Sequence, residues 1–197
     1  MNIFAKVIFT TNSEIAKKLI TNQNLTKKDD NESYEIYFKT WEDFHIVLVN
    51  QKDKNFEKSI EFVTSNFEVT NFYNIWTALS LDSVDLQFWD VVVPNAILNE
   101  KNEVIFIENY IDKNYDLNKF GLVLNWMCVS LENSIEDDEK LLEIKENFSA
   151  DIFDFESFDI LNTAKKYNLE NKICLVKVIT NTEENLENWC DILEFLM

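Results

Sequence analysis

Glycine is nearly absent from this chain, and arginine is wholly absent. Among 197 residues there is one glycine, Gly121, and all 18 basic residues are lysine. An average chain carries about 7% glycine. Glycine permits positive φ and close approach of a backbone to a phosphate, and arginine is the planar, bidentate clamp for phosphates and carboxylates. A chain short of both has given up the usual tools for gripping nucleotides. Proline occurs once, at Pro94, and histidine once, at His45. The three cysteines, Cys128, Cys174 and Cys190, are odd in number and widely spaced. A zinc site needs clustered Cys and His, so neither a metal nor another cofactor is expected. Cys128 and Cys174 sit inside apolar runs, which points to buried free thiols in a reducing compartment. His45 opens an apolar run and reads as a half-buried structural residue.

What is abundant is acid: 36 Asp and Glu against 18 Lys, a net charge of −18. Nucleic-acid binding relies on cations that release counterions from phosphates, so no nucleic-acid partner is expected. The same sign disfavours anionic membranes. Met1–Thr10 lacks the basic and apolar regions of a signal peptide, and no apolar run reaches the 18 or more residues of a spanning helix. A cytoplasmic location is the expectation. The richness in Asn, Lys, Ile, Phe and Glu also fits a strongly AT-rich genome, which accounts for part of the glycine and arginine loss without any function. Hydrophobic residues make up 46%, enough for one sizeable core.

Strands and helices alternate along the chain. Ile3–Phe9 reads as a buried strand, followed by the capping-prone Thr11-Asn12-Ser13-Glu14 and a helix over Ile15–Ile20. Asn22–Ser33 is polar and reads as a loop. Tyr34–Phe38 and Phe44–Asn50 are strand-like, Asn55–Ser65 places Phe56, Ile60 and Val63 on one helical face, and Val69–Trp76 is again a strand. Asp90–Pro94 reads as a short strand ended by the proline. Ala96–Leu98 and Val104–Ile107 form a hairpin with its turn at Glu100–Asn102. Gly121–Ser130, Ala150–Phe155 and Ile173–Ile179 are strands; Ile135–Phe148, Ser157–Tyr167 and Glu183–Met197 are helices. The alternation predicts a three-layer α/β/α sandwich around a mixed, largely parallel sheet. No linker or repeat divides it, so a single domain over 1–197 is expected.

Two segments of the second half carry a family resemblance. Ala150-Asp151-Ile152-Phe153-Asp154-Phe155-Glu156-Ser157, followed by Lys177-Val178-Ile179-Thr180-Asn181, resembles the nucleoside phosphorylase and nucleosidase superfamily. The nearest likeness is to bacterial methylthioadenosine/S-adenosylhomocysteine nucleosidases. There a strand ends in a Glu-Met-Glu-type signature, and a later strand ends in a Ser-Asp pair; here these read Asp154-Phe155-Glu156 and Thr180-Asn181. Asp90–Val93, Phe44–Asn50 with the helix after it, and Gly121–Leu124 match other family strands in order. The resemblance implies that Glu156 accepts hydrogen bonds from ribose hydroxyls and that Phe155 packs on the sugar. A carboxylate offers several acceptor sites to two hydroxyl donors. The alternative is that Glu156 merely starts a helix, complementing its dipole. Glu14 corresponds to the glutamate that orients the attacking water, or is an ordinary first-turn carboxylate. Asp154 is placed behind the binding residues.

The departures constrain activity. The family aspartic acid that protonates the leaving purine falls on Asn181, and an amide cannot act as a general acid, a loss of about 10²–10⁴-fold. Some phosphorylases resembling this family hold 6-oxopurines with asparagine, but they bind phosphate through glycine turns and basic side chains. Here Leu48-Val49-Asn50 runs into Gln51-Lys52-Asp53-Lys54, and bulky Asn74–Leu79 replaces a second glycine-rich stretch. Phosphorolysis is not expected. Three readings follow: a diverged member binding a purine nucleoside or related small molecule with weak or no turnover; an active purine nucleosidase, with Asn181 and Glu14 as catalytic residues; or an interaction scaffold using its surface, for example the acidic Glu136–Glu139. The resemblance also implies a homodimer.

Overall fold

The computed structural model describes residues 3–41, 44–81, 86, 90–107, 122–132, 138–148 and 150–180. The expected helix over Glu183–Met197, together with Asn181, lies outside these residues, as do 108–121 and 133–137.

β1 (Phe4–Thr10) leads into α1 (Ser13–Gln23). Asn12 caps that helix, its side chain accepting from the backbone N–H groups of Glu14 and Ile15. α1 ends on Asn24 at φ 52°. Asn102 and Asn168 also take positive φ, at 60° and 56°. Left-handed positions favour glycine, and asparagine is among the few other residues that visit them routinely. In a chain with one glycine, asparagine supplies these turns.

β2 (Thr26–Asp30), β3 (Tyr34–Trp41) and β4 (Phe44–Gln51) form an antiparallel meander. β2 corrects the expectation of a loop over Asn22–Ser33. Its residues Thr-Lys-Lys-Asp-Asp are mostly exposed, so no apolar alternation marks it. Edge strands are commonly charged, and this one is held by ladder bonds and by Lys27 bridging Asp30 and Glu35 at 2.8 and 2.9 Å. α2 (Phe56–Asn66) buries Phe56, Ile60 and Val63, as the spacing requires. β5 (Glu68–Ser80) runs further than the apolar pattern indicates.

β6 (Val91–Asn99) is one strand, not a short strand stopped by Pro94 and a separate arm. The proline is accommodated because the register with β8 shifts on both sides of it; a bulge is a place where a ladder donor can be missing. β6 turns into β7 (Val104–Phe106) through the expected hairpin. β8 (Leu122–Ser130), α3 (Asp138–Phe148), β9 (Ile152–Asp154), α4 (Ser157–Lys166) and β10 (Ile173–Ile179) complete the described order.

The strands form one mixed ten-stranded sheet. β4, β1, β5 and β10 lie side by side and parallel, and β6, β8 and β9 are joined by parallel pairings. Antiparallel contacts of β10 with β6 and of β9 with β5 close β5, β10, β6, β8 and β9 into a ring. Strand side chains alternate between faces. Val7 and Phe9 of β1 and Leu175 of β10 meet α2 and α4 in one core. Ile8 of β1 and Cys174 and Val176 of β10 meet Ile15 and Leu19 of α1 in another. Helices thus cover both faces, giving the three-layer sandwich. Cys128 and Cys174 are buried free thiols, with burial pushing the Cys174 thiol up to about 12. His45 is half-buried between the rings of Phe38 and Phe67.

Candidate functional site

Lys177 is a lone charge in the apolar run of β10, and its side chain is wholly buried. Such an ammonium needs partners, because an unpaired buried charge is strongly disfavoured. It finds two. Its Nζ lies 2.7 Å from Asp154 Oδ2 at the end of β9 and donates to Asn74 Oδ1 of β5 at 2.9 Å. The bond to Lys177 fixes the Asn74 amide, so its Nδ2 points the other way and donates to Glu156 Oε1 at 3.2 Å. Glu156 Oε2 accepts from the hydroxyl of Thr11, just beyond β1, at 2.7 Å. Four segments that are far apart in sequence therefore converge just beyond the carboxyl end of β1, near that of β10 and beside the middle of β5; the carboxyl ends of parallel strands are the usual ligand side of an α/β sheet.

The segment Asp154–Ser157 divides its duties. Asp154 accepts from the backbone N–H groups of Glu156 and Ser157 and from the Ser157 hydroxyl. The N–H of Phe158 donates to Ser130 Oγ of β8 at 3.1 Å. The first donors of α4 are thus satisfied by Asp154 and Ser130. Glu156 occupies the N-cap position, yet its side chain makes no capping bond. It is 5% exposed and faces Thr11 and Asn74 instead. The hydrogen bonds of the carboxylate are thus spent on Thr11 and Asn74 and not on capping α4. Burial pushes the Glu156 carboxyl above its usual range, opposed by nearby Lys177 and by the Thr11 and Asn74 hydrogen bonds. Removing one member of a buried pair such as Asp154–Lys177 typically costs about 3–5 kcal/mol, because the other charge is left buried and uncompensated.

Phe155 is half-buried, its ring edge-on to Phe153 at 5.8 Å, beside the cluster of Leu98, Val129, Leu131 and Ala150. Glu14 is exposed in the first turn of α1, with its N–H donated to the Asn12 cap; its position is that of a dipole-complementing carboxylate, outside the buried cluster. Asn181 follows directly on Thr180, which is buried after β10. Asp154, Phe155 and Glu156 are therefore together, and Thr11, Asn74 and Lys177 join them. The last three were not expected as site residues from sequence. Asn74 and Lys177 carried a signal all the same, as polar residues stranded within apolar strand runs; Thr11 carried none.

The turn after β4 is closed on itself. Gln51 Nε2 donates to Asp53 and to the Asn55 carbonyl, and Ser59 Oγ donates to Gln51 Oε1 at 2.6 Å. Lys52 is bound to Asp30 and the Asn31 carbonyl, and Lys54 to the Glu132 carbonyl. Over Asn74–Leu79, where bulky residues stand in place of a second glycine-rich stretch, β5 simply continues, Trp76, Thr77 and Ala78 pairing with Lys177, Val178 and Ile179. Among the described residues no group of His, Cys, Asp and Glu is arranged to hold a metal, and no helix is long and apolar enough to cross a membrane.

No protein-family model and no curated protein matches the sequence. Solved structures do match in shape. The futalosine hydrolase of Helicobacter pylori superposes with a TM-score of 0.78 at 14% identity, over 100% of this chain and 98% of that one. An aspartate-to-asparagine variant of the Helicobacter pylori methylthioadenosine nucleosidase, with 5′-methylthioadenosine in its active site, gives 0.72 at 14% identity, over 100% and 92%. The purine nucleoside phosphorylase of Toxoplasma gondii, in complex with immucillin-H, gives 0.70 at 12% identity, over 99% and 88%. The likeness spans nearly the whole of each chain, and this protein has the nucleoside phosphorylase-like fold.

Proposed function

We propose that the chain acts as one nucleoside phosphorylase-like domain that binds a purine nucleoside or a related small molecule, with weak or no turnover. The observation that carries this reading is the Glu156 carboxylate. It is held by Asn74 within β5 and by Thr11 just beyond β1, spared from helix capping by Asp154 and Ser130, and of the right chemistry for sugar hydroxyls. Phe155, next to it, offers an aromatic face to the sugar. The neighbouring structures that hold a methylthioadenosine and an immucillin support the ligand class. One of them has asparagine substituted for an aspartate and still contains its nucleoside, which is compatible with binding in a chain that has Asn181 at the family's acid position. Without that acid, protonation of the leaving purine is lost, and Asn181 is left to donate a hydrogen bond to a 6-oxopurine. Any residual turnover is hydrolytic, because the lysines of the turn after β4 are bound to protein groups instead of facing a phosphate. Glu14, the residue that the resemblance gives for orienting the water, would then act from the exposed first turn of α1.

A thermal-shift screen against adenosine, inosine, methylthioadenosine, 2′-deoxyadenosine and free purines tests this. A ligand at about 100 times its Kd adds about 2.7 kcal/mol, which is about 5–10 °C for a domain of this size. A shift that Glu156→Ala abolishes supports the pocket, and assay of base release separates binder from nucleosidase. No shift with any of them removes the pocket reading and leaves the fold as an interaction scaffold.

A further inference from the structure

Thr11 differs from the other partner of Glu156. Asn74 is fully buried, and Lys177 fixes the direction of its amide, so Oε1 of Glu156 faces the interior. Thr11 is half-exposed on the turn between β1 and α1, and it donates to Oε2 at 2.7 Å. The turn itself is braced: Asn12 donates its N–H to Thr10 Oγ1 at 3.1 Å and caps α1 with its side chain. Oε2 is thus the oxygen turned toward the half-exposed turn that carries Thr11, and one of its acceptor positions is already filled by a secondary alcohol. That is the same functional group as a sugar hydroxyl, and a carboxylate oxygen accepts about two hydrogen bonds.

We propose that the Thr11 hydroxyl stands in for one hydroxyl of the sugar, so that the site takes a nucleoside with a single hydroxyl facing Glu156, a deoxynucleoside, over one presenting a vicinal diol. This rests on the reading of Glu156 as the sugar-binding group. A ribonucleoside has to displace Thr11 or leave one hydroxyl without its acceptor. Hydrogen bonds to charged groups are strong enough for that choice to amount to about tenfold in affinity.

Calorimetric titration of the full chain with adenosine, 2′-deoxyadenosine and 3′-deoxyadenosine tests it, alongside Thr11→Val, Thr11→Ser and Glu156→Gln. The wild type is expected to bind one of the deoxynucleosides about tenfold more tightly than adenosine. Thr11→Val, which keeps the shape and removes the hydroxyl, tightens adenosine about tenfold and erases the preference; Thr11→Ser keeps the wild-type order. Adenosine bound as well as both deoxynucleosides by the wild type overturns the role of Thr11 without help from any variant. A Glu156-dependent affinity with unchanged selectivity in Thr11→Val does the same, and in both cases Glu156 stands. Binding unaffected by Glu156→Gln, or no binding of any of the three, overturns the reading of Glu156 and this inference with it.

Discussion

Glu156 is a buried carboxyl whose cost depends on pH. Its folded-state pKa is raised above the ordinary 4.5, chiefly by burial. A raised pKa means that the folded state holds the proton more tightly than the unfolded chain. The stability this contributes is complete below the ordinary value and is lost as pH rises through the raised one. Glutamine can satisfy the same partners, its carbonyl accepting from Asn74 and its amide donating to Thr11. Glu156→Gln should therefore melt close to the wild type near about pH 4 and progressively above it toward about pH 8. Melting curves across that range check this; a difference that does not change with pH would mean that the site leaves Glu156 unperturbed. Some of this was legible in the sequence. The resemblance led to Glu156, and Lys177 announced itself as a charge within β10. Thr11 did not, because a threonine before a helix cap is ordinary until the fold brings Glu156 to its hydroxyl.

Most elements with a buried apolar run or stripe were read as such, and β2, which has neither, was not. α2 followed from apolar spacing, and β1, β4 and β10 from continuous apolar runs. β2 has neither, and pairing with β3 alone makes it a strand. β6 passed through Pro94 because a bulge relieves the missing donor, a feature of the partner strand that no single segment reveals. At the helix ends, asparagine takes the place of glycine, which gives a direct test. Asn24 sits at φ 52° at the end of α1. Asn24→Ala should cost about 1–2 kcal/mol, the penalty of a side chain with a Cβ and no local hydrogen bond in this region. Asn24→Gly, free of that penalty, should be at least as stable as the wild type. Urea denaturation of the three proteins decides it, and equal stability of Ala and Gly variants would show that the backbone there relaxes.

At the scale of the molecule, the net charge of −18 bears on association. The resemblance implies a homodimer, and two chains of that charge repel one another. Screening shortens the range of that repulsion, so the dimer should tighten as salt is raised. Sedimentation at several salt concentrations is expected to give the mass of two chains, with dissociation weakening at higher ionic strength. A single-chain mass throughout would sink the dimer.

The amino-acid sequence by itself determined the layers. Apolar spacing of about 3.6 residues or continuous apolar runs leave few ways to bury a 46% hydrophobic chain, and alternating helices and strands lead to a covered sheet. It also excluded a glycine-rich phosphate loop, since a chain with one glycine cannot build one in any conformation. Which polar groups meet was decided only by the tertiary structure. Thr11 and Glu156 are 145 positions apart, and Asn74 and Lys177 are 103 apart. Their contacts depend on the lateral order of β1, β5, β10 and β9, which local periodicity does not encode. That the Glu156 carboxylate accepts from Thr11 and Asn74 and makes no capping bond was decided in the same way, because Asp154 and Ser130 take the first donors of α4.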